Sequence, residues 1–145
     1  MRGAGPEAAA RPVSRPAARW FVLAAAFTAV PSWACPLPPQ AAGESRLAQG
    51  ELQLVWKAEP ERLLVGRPFA LTLQLCPPAA RLLRVDATMP EHRHGMNYRP
   101  SVADLGASRW RAEGLLWHMA GHWELAFEVE HGGQVSWLRQ SVRLP

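Results

Sequence analysis

From residue 123 the chain reads Trp-Glu-Leu-Ala-Phe-Glu-Val-Glu. Trp123, Leu125, Phe127 and Val129 take every second position, with Glu124, Ala126, Glu128 and Glu130 between them. Neighbouring side chains point to opposite sides only on a β-strand, so this stretch is a strand with one apolar and one wet face. One strand cannot bury its own apolar face; it needs a sheet and a second layer. The same period returns in Leu52, Leu54 and Trp56, in Phe69, Leu71, Leu73 and Leu75, and in Leu83, Val85, Ala87 and Met89, where Arg84, Asp86 and Thr88 face the other way. Residues 98–102 form a short strand, edge-like because Pro100 lacks a donor. Residues 110–119 form another, and residues 134–144 pair back on the Trp123 strand across a His131-Gly132-Gly133 hairpin turn. Glu59-Pro60-Glu61, Gly66-Arg67-Pro68, Pro77-Pro78 and Ala120-Gly121 punctuate the pattern. No segment has a helical period. About seven short antiparallel strands predict an all-β domain over residues 51–145, an immunoglobulin-like β-sandwich.

The N-terminus is of another kind. Residues 1–19 carry Arg2, Arg11, Arg15 and Arg19 against one acid, Glu7. An apolar run from Trp20 to Val30 follows, then Pro31 and Ser32-Trp33-Ala34. A basic start, a short apolar run and a small-x-small site predict a secretion signal over residues 1–34. An uncleaved anchor is the alternative, although a transmembrane helix needs roughly 20 apolar residues. No later run could span a membrane. Residues 35–50, rich in Pro, Ala, Gly and Gln, read as a tail. The domain is therefore expected to be exported, periplasmic or otherwise extracytoplasmic. Removing the leader changes the charge from +4 to +1, because 12 basic and 11 acidic residues follow Ala34. A near-neutral domain without a basic stripe gives no electrostatic reason for nucleic-acid binding.

Two cysteines, Cys35 and Cys76, remain. Outside the cytoplasm they most simply form one disulfide, tying the tail to the end of a strand. Cys35 could instead carry a lipid and tether the domain to a membrane, although Ser32-Trp33-Ala34 is a poor lipobox. Free thiols are the third option. The wide spacing does not suit a thiolate metal site.

The candidate chemistry lies in two short segments. Residues 89–96 read Met-Pro-Glu-His-Arg-His-Gly-Met, and residues 118–122 read His-Met-Ala-Gly-His. They hold four of the five histidines and three of the four methionines, the fourth being Met1. Thioether sulfur is soft and matches Cu(I), and imidazole serves either copper ion. His92, His94 and Met96 are the first candidate ligands, with Gly95 expected to turn the loop tightly enough to fold Met96 back. His118 or Met119 would complete the set from the second turn. Met89 is in phase with Val85 and Ala87, so it is foremost a core residue and the weakest candidate. Taken singly, each His reads more readily as a solvated or capping residue than as a ligand, and Met119 as a plug for the end of the sandwich; the clustering is what points to metal. Zinc is less natural without nearby cysteines.

Residues 83–129 resemble the FixH/YtkA-like family of small extracytoplasmic β-sandwich domains. The resemblance rests on the Met-Pro-x-His-x-His-Gly-Met stretch and on a second segment running from Trp110 through Gly114, Trp117, Met119 and Gly121 to Trp123. Ala120 stands where that family usually has proline. The resemblance implies copper handling linked to cytochrome oxidase assembly, and a membrane-bound or periplasmic copper-handling partner. No nucleophile elbow, phosphate loop or Ser/His/Asp arrangement is present, so no enzymatic activity is expected. Two functions of different class follow. One is a copper-binding carrier, buffer or metallochaperone. The other is a metal-free adaptor that docks a membrane or assembly complex through a sheet edge or through Trp110, Trp117, Trp123 and Trp137.

Overall fold

Nine strands make up the domain: β1 (Glu44–Gln49), β2 (Leu52–Glu59), β3 (Pro68–Cys76), β4 (Arg81–Met89), β5 (His94–Gly95), β6 (Ser101–Gly106), β7 (Arg109–Leu116), β8 (Gly121–His131) and β9 (Gln134–Leu144). They are seen in a computed structural model that describes residues 1, 3, 35 and 37–145. The expected secretion signal thus lies outside the described residues, apart from Met1 and Gly3. A five-stranded sheet in the order β1-β2-β3-β7-β6 packs against a four-stranded sheet in the order β5-β4-β8-β9. Every pairing is antiparallel. This is the expected sandwich, and β2-β3-β7-β6 facing β4-β8-β9 follows the immunoglobulin arrangement. Among the described residues no helix is long and apolar enough to cross a membrane.

The period-two residues fill the space between the sheets. Leu54, Leu71, Leu75, Val85, Leu125, Phe127 and Val129 are fully buried. Each such side chain stabilises the fold by roughly 1.5–3 kcal/mol relative to exposure. The core and its margin draw on residues from Leu47 to Leu144 only, so residues 33–145 form a unit with its own interior.

Two strands exceed the expected seven. β1 lies inside the segment read as a tail; its sequence alternates weakly because it is an edge strand, with only Leu47 reaching the core. β5 is two residues long and hangs on the end of β4.

Two irregularities change which side chains face inward. In β4 the register slips between Leu82 and Arg84. Leu82 is buried as a result and Leu83 is 42% exposed, which reverses the inward role expected of Leu83. In β7, Leu115 pairs with Phe69 and Ala112 with Leu71, so β7 carries one extra residue there. Gly114 sits in this bulge at φ +84°, a conformation that disfavours any side chain. The inward phase runs through Trp110 and Ala112, skips at Gly114, and resumes at Leu115 and Trp117.

The far end of the sandwich is cross-linked. Cys35 and Cys76 form a disulfide with Cα atoms 5.6 Å apart, so the Cys35 sulfur is not available for a lipid. The tail then runs over the outer face of the five-stranded sheet. Pro38 lines a shallow cleft together with Val55, Thr72 and Gln74, and the Arg46 side chain donates to the Pro38 carbonyl. This cover explains why Val55 is buried although it faces away from the core.

The outer faces are otherwise held by ion pairs. Arg111 bridges Glu59 and Glu113 at 2.7 and 2.6 Å. The hydrogen bond from Arg111 holds the Glu59 carboxyl below its ordinary pKa, and the bond to Glu113 raises Arg111. On the other sheet, the guanidinium groups of Arg84 and Arg139 lie over the Trp137 ring at 4.8 and 5.5 Å and pair with Glu128 and Glu124. The tryptophan-rich surface considered for an adaptor does not exist: Trp110, Trp117 and Trp123 are buried, and of the four only Trp137 reaches solvent.

Candidate metal centre

The end of the sandwich opposite the disulfide collects the turns that carry histidine. β4 ends at Met89, which pairs with His94 across a turn of residues 90–93. The His92 N–H donates to the Met89 carbonyl at 3.1 Å, and Arg93 takes the left-handed conformation the turn requires, at φ +54°. The turning residue is therefore Arg93, not Gly95 as expected. Gly95 serves a different need. A Cβ there would stand 3.1 Å from the Ala87 carbonyl oxygen and 3.3 Å from Thr88 Cγ2. Its absence lets β5 lie close on β4, and the Met96 N–H reaches the Ala87 carbonyl at 3.0 Å.

The second turn, residues 117–120, owes its orientation to the bulge at Gly114. With the phase reset, Trp117 enters the core and His118 is left exposed. Trp117 stacks on Trp123 with ring centres 5.6 Å apart and planes within 9°, and meets Phe69 edge-on at 5.0 Å. The Trp123 indole donates to the Met119 carbonyl at 3.0 Å, pinning the turn from beneath. Gly121, at φ +125°, begins β8 directly over Met89; a Cβ there would stand 2.8 Å from Met89 Cε.

Three imidazoles meet over this tryptophan platform. The His92 and His94 rings are 5.7 Å apart, and His94 and His118 are 5.1 Å apart. Both His94 and His118 contact Trp123 edge-on, at 6.2 and 5.4 Å. His94 is the middle member and is half-buried, while His92 and His118 are exposed. His94 Nδ1 is shielded from solvent and has no hydrogen-bond partner. A ring nitrogen so placed is a buried polar atom whose hydrogen-bonding capacity is unused.

The remaining candidates are placed differently. Met96 and Met119 are half-buried and pack against the margin of the core. Met89 is fully buried against Gly121, which makes it the structural residue its phase implied. His122 turns towards Glu91, 4.0 Å away, and stands outside the row. Among the described residues no group of three or more His, Cys, Asp or Glu side chains closes around one point. The imidazoles are thus a row rather than the closed nitrogen, oxygen or thiolate set that zinc takes. Imidazole nitrogen and thioether sulfur are the donor types that suit Cu(I).

Sequence reasoning reached both segments and expected His118 or Met119 to join from the second turn; that His118 lies beside His94 in particular is hidden by the stretch containing β6 that separates them in the chain. It also missed the Trp117–Trp123 stack as the support of the site. The signal was present in Gly114, an isolated glycine in a strand pattern and hence a bulge candidate. No family model, no curated protein and no solved structure matches the chain.

Proposed function

We propose that this domain is an exported copper carrier that takes Cu(I) as cargo between His94 and His118, with Met96 or Met119 supplying thioether sulfur. The observation that carries the reading is His94: half-buried, with a shielded nitrogen lacking any partner, 5.1 Å from a second imidazole on another turn. The resemblance to FixH/YtkA-like domains supports it, and gives the expected partner as a membrane-bound or periplasmic copper-handling protein. The exposed rings of His92 and His118 suit a carrier, because a recipient's ligands can approach an ion held there without unfolding the turn. The aromatic platform fixes the imidazoles from below and contributes no acid, base or nucleophile; the role is binding and transfer, not catalysis.

The test is an anaerobic Cu(I) titration of residues 35–145 in competition with a chromogenic chelator. The reading expects one equivalent bound, and an affinity lower by roughly tenfold or more, or 1.4 kcal/mol, in His94→Ala/His118→Ala. The variant's thermal unfolding is followed alongside, to show that it remains folded. Failure of the folded wild-type domain to compete for copper would remove the proposal.

A further inference from the structure

The histidine-bearing end carries a second pattern that the metal reading does not use. The turn between β2 and β3, residues 60–67, belongs to this end: the Gly66 N–H donates to the Trp117 carbonyl at 2.8 Å, and Pro68 pairs with Leu116. Leu64 and Val65 stand at its tip, 47% and 42% exposed. Arg62 and Arg67 flank them and are exposed. At the same end, residues 90–99 of the other sheet's edge carry exposed Arg93 and Arg99 and Tyr98, which is 55% exposed.

None of these four arginines has an ion-pair partner among the described residues. The acids of the same turns are engaged: Glu61 faces Lys57 at 3.8 Å, and Glu91 faces His122 at 4.0 Å. Residues 60–67 and 90–99 hold four arginines and two glutamates, net +2. The rest of residues 35–145 holds eight basic and nine acidic residues, net −1. The domain is therefore polarised, with its positive charge and an exposed pair of aliphatic side chains at one end.

We infer that this end docks on an anionic lipid bilayer. Two aliphatic side chains at a turn tip suit shallow insertion at the level of the headgroups, and a tyrosine suits the interface. Arginines at the same end meet lipid phosphate bidentately while their stems lie along the apolar boundary. An acidic protein surface would meet the same guanidinium groups, but exposed Leu64, Val65 and Tyr98 at the same end favour a bilayer, whose interface takes aliphatic and aromatic side chains beside its phosphates. The inference does not depend on copper.

Co-sedimentation of residues 35–145 with vesicles tests it. One set is pure phosphatidylcholine and the other carries phosphatidylglycerol in phosphatidylcholine. The domain is expected to bind the anionic vesicles, to release as salt rises, and to ignore the neutral ones. Each arginine near such a surface contributes about fivefold. Arg62→Ala/Arg67→Ala/Arg93→Ala is thus expected to weaken binding about a hundredfold, and Leu64→Ser/Val65→Ser to weaken it with no change in charge. Arg81→Ala/Arg109→Ala, at the disulfide end, is the control that leaves binding unchanged. No sedimentation with anionic vesicles at low salt would overturn the inference. So would an equal loss in the control variant, or full binding by Leu64→Ser/Val65→Ser.

Discussion

The two ends of this sandwich hold their loops by different means. At one end a covalent bond between Cys35 and Cys76 clamps the tail on the outer sheet face. At the other, the turns carrying His92, His94 and His118 have no cross-link. They rest on Trp117 and Trp123, on a glycine bulge, and on a close seat between Gly121 and Met89. A disulfide acts chiefly by restricting the unfolded chain and so stabilises without shaping. Packed aromatics and positive-φ glycines act on the folded state and fix directions. The comparison teaches that stability and site geometry are separable here, and substitutions at the two ends should show it.

The largest effect is expected at the platform. Trp123 is fully buried and its indole holds the Met119 carbonyl. Trp123→Ala should cost about 3–5 kcal/mol in denaturant unfolding and abolish copper binding even where the fold survives. Next comes Cys35→Ser/Cys76→Ser. Opening a loop with a sequence separation of 41 residues should cost about 4 kcal/mol on the chain-entropy account, while copper affinity below the melting transition stays unchanged. Loss of affinity in that variant would break the separation of the two ends.

Smaller effects sharpen it. Gly121→Ala places a methyl group 2.8 Å from Met89 Cε at φ +125°. It should destabilise by about 1–3 kcal/mol and displace the turn, lowering copper affinity too. Gly114→Ala meets no atom within 4 Å but keeps φ +84°; the expected cost is about 1 kcal/mol. The smallest effect is electrostatic. Glu59 has its pKa lowered in the folded state by Arg111, so its contribution is present above the unfolded carboxylate pKa. That contribution fades as pH falls through the folded value. Glu59→Gln should therefore remove a minor part of the acid sensitivity of unfolding and leave copper affinity unchanged.

How far the sequence carried the fold follows from the same physics. β3 and β8 were readable because their inward positions keep a strict period of two from end to end. β4 was readable in phase from Val85 to Met89 but not before, since the slip between Leu82 and Arg84 turns Leu82 inward in place of Leu83; β7 was readable as a strand but not in phase, since the extra residue at Gly114 reverses every later side chain. β1 was hidden because an edge strand with one buried leucine leaves almost no pattern. At the candidate site the His-x-His-Gly-Met stretch stood out by composition. That His118 would lie nearest His94 depends on a bulge and on pairing between strands distant in sequence, neither of which a local pattern contains.

The central claim is that the imidazoles at one end, and not histidine in general, take copper. The chain supplies its own control in His131, which ends β8 at the disulfide end. Imidazole nitrogen resonances of isotopically labelled residues 35–145, followed by NMR through an anaerobic Cu(I) titration, test it most directly. The account expects the His94 and His118 resonances to move together and saturate at one equivalent while His131 stays fixed. Equal movement of all the histidines, or none at His94, would contradict it.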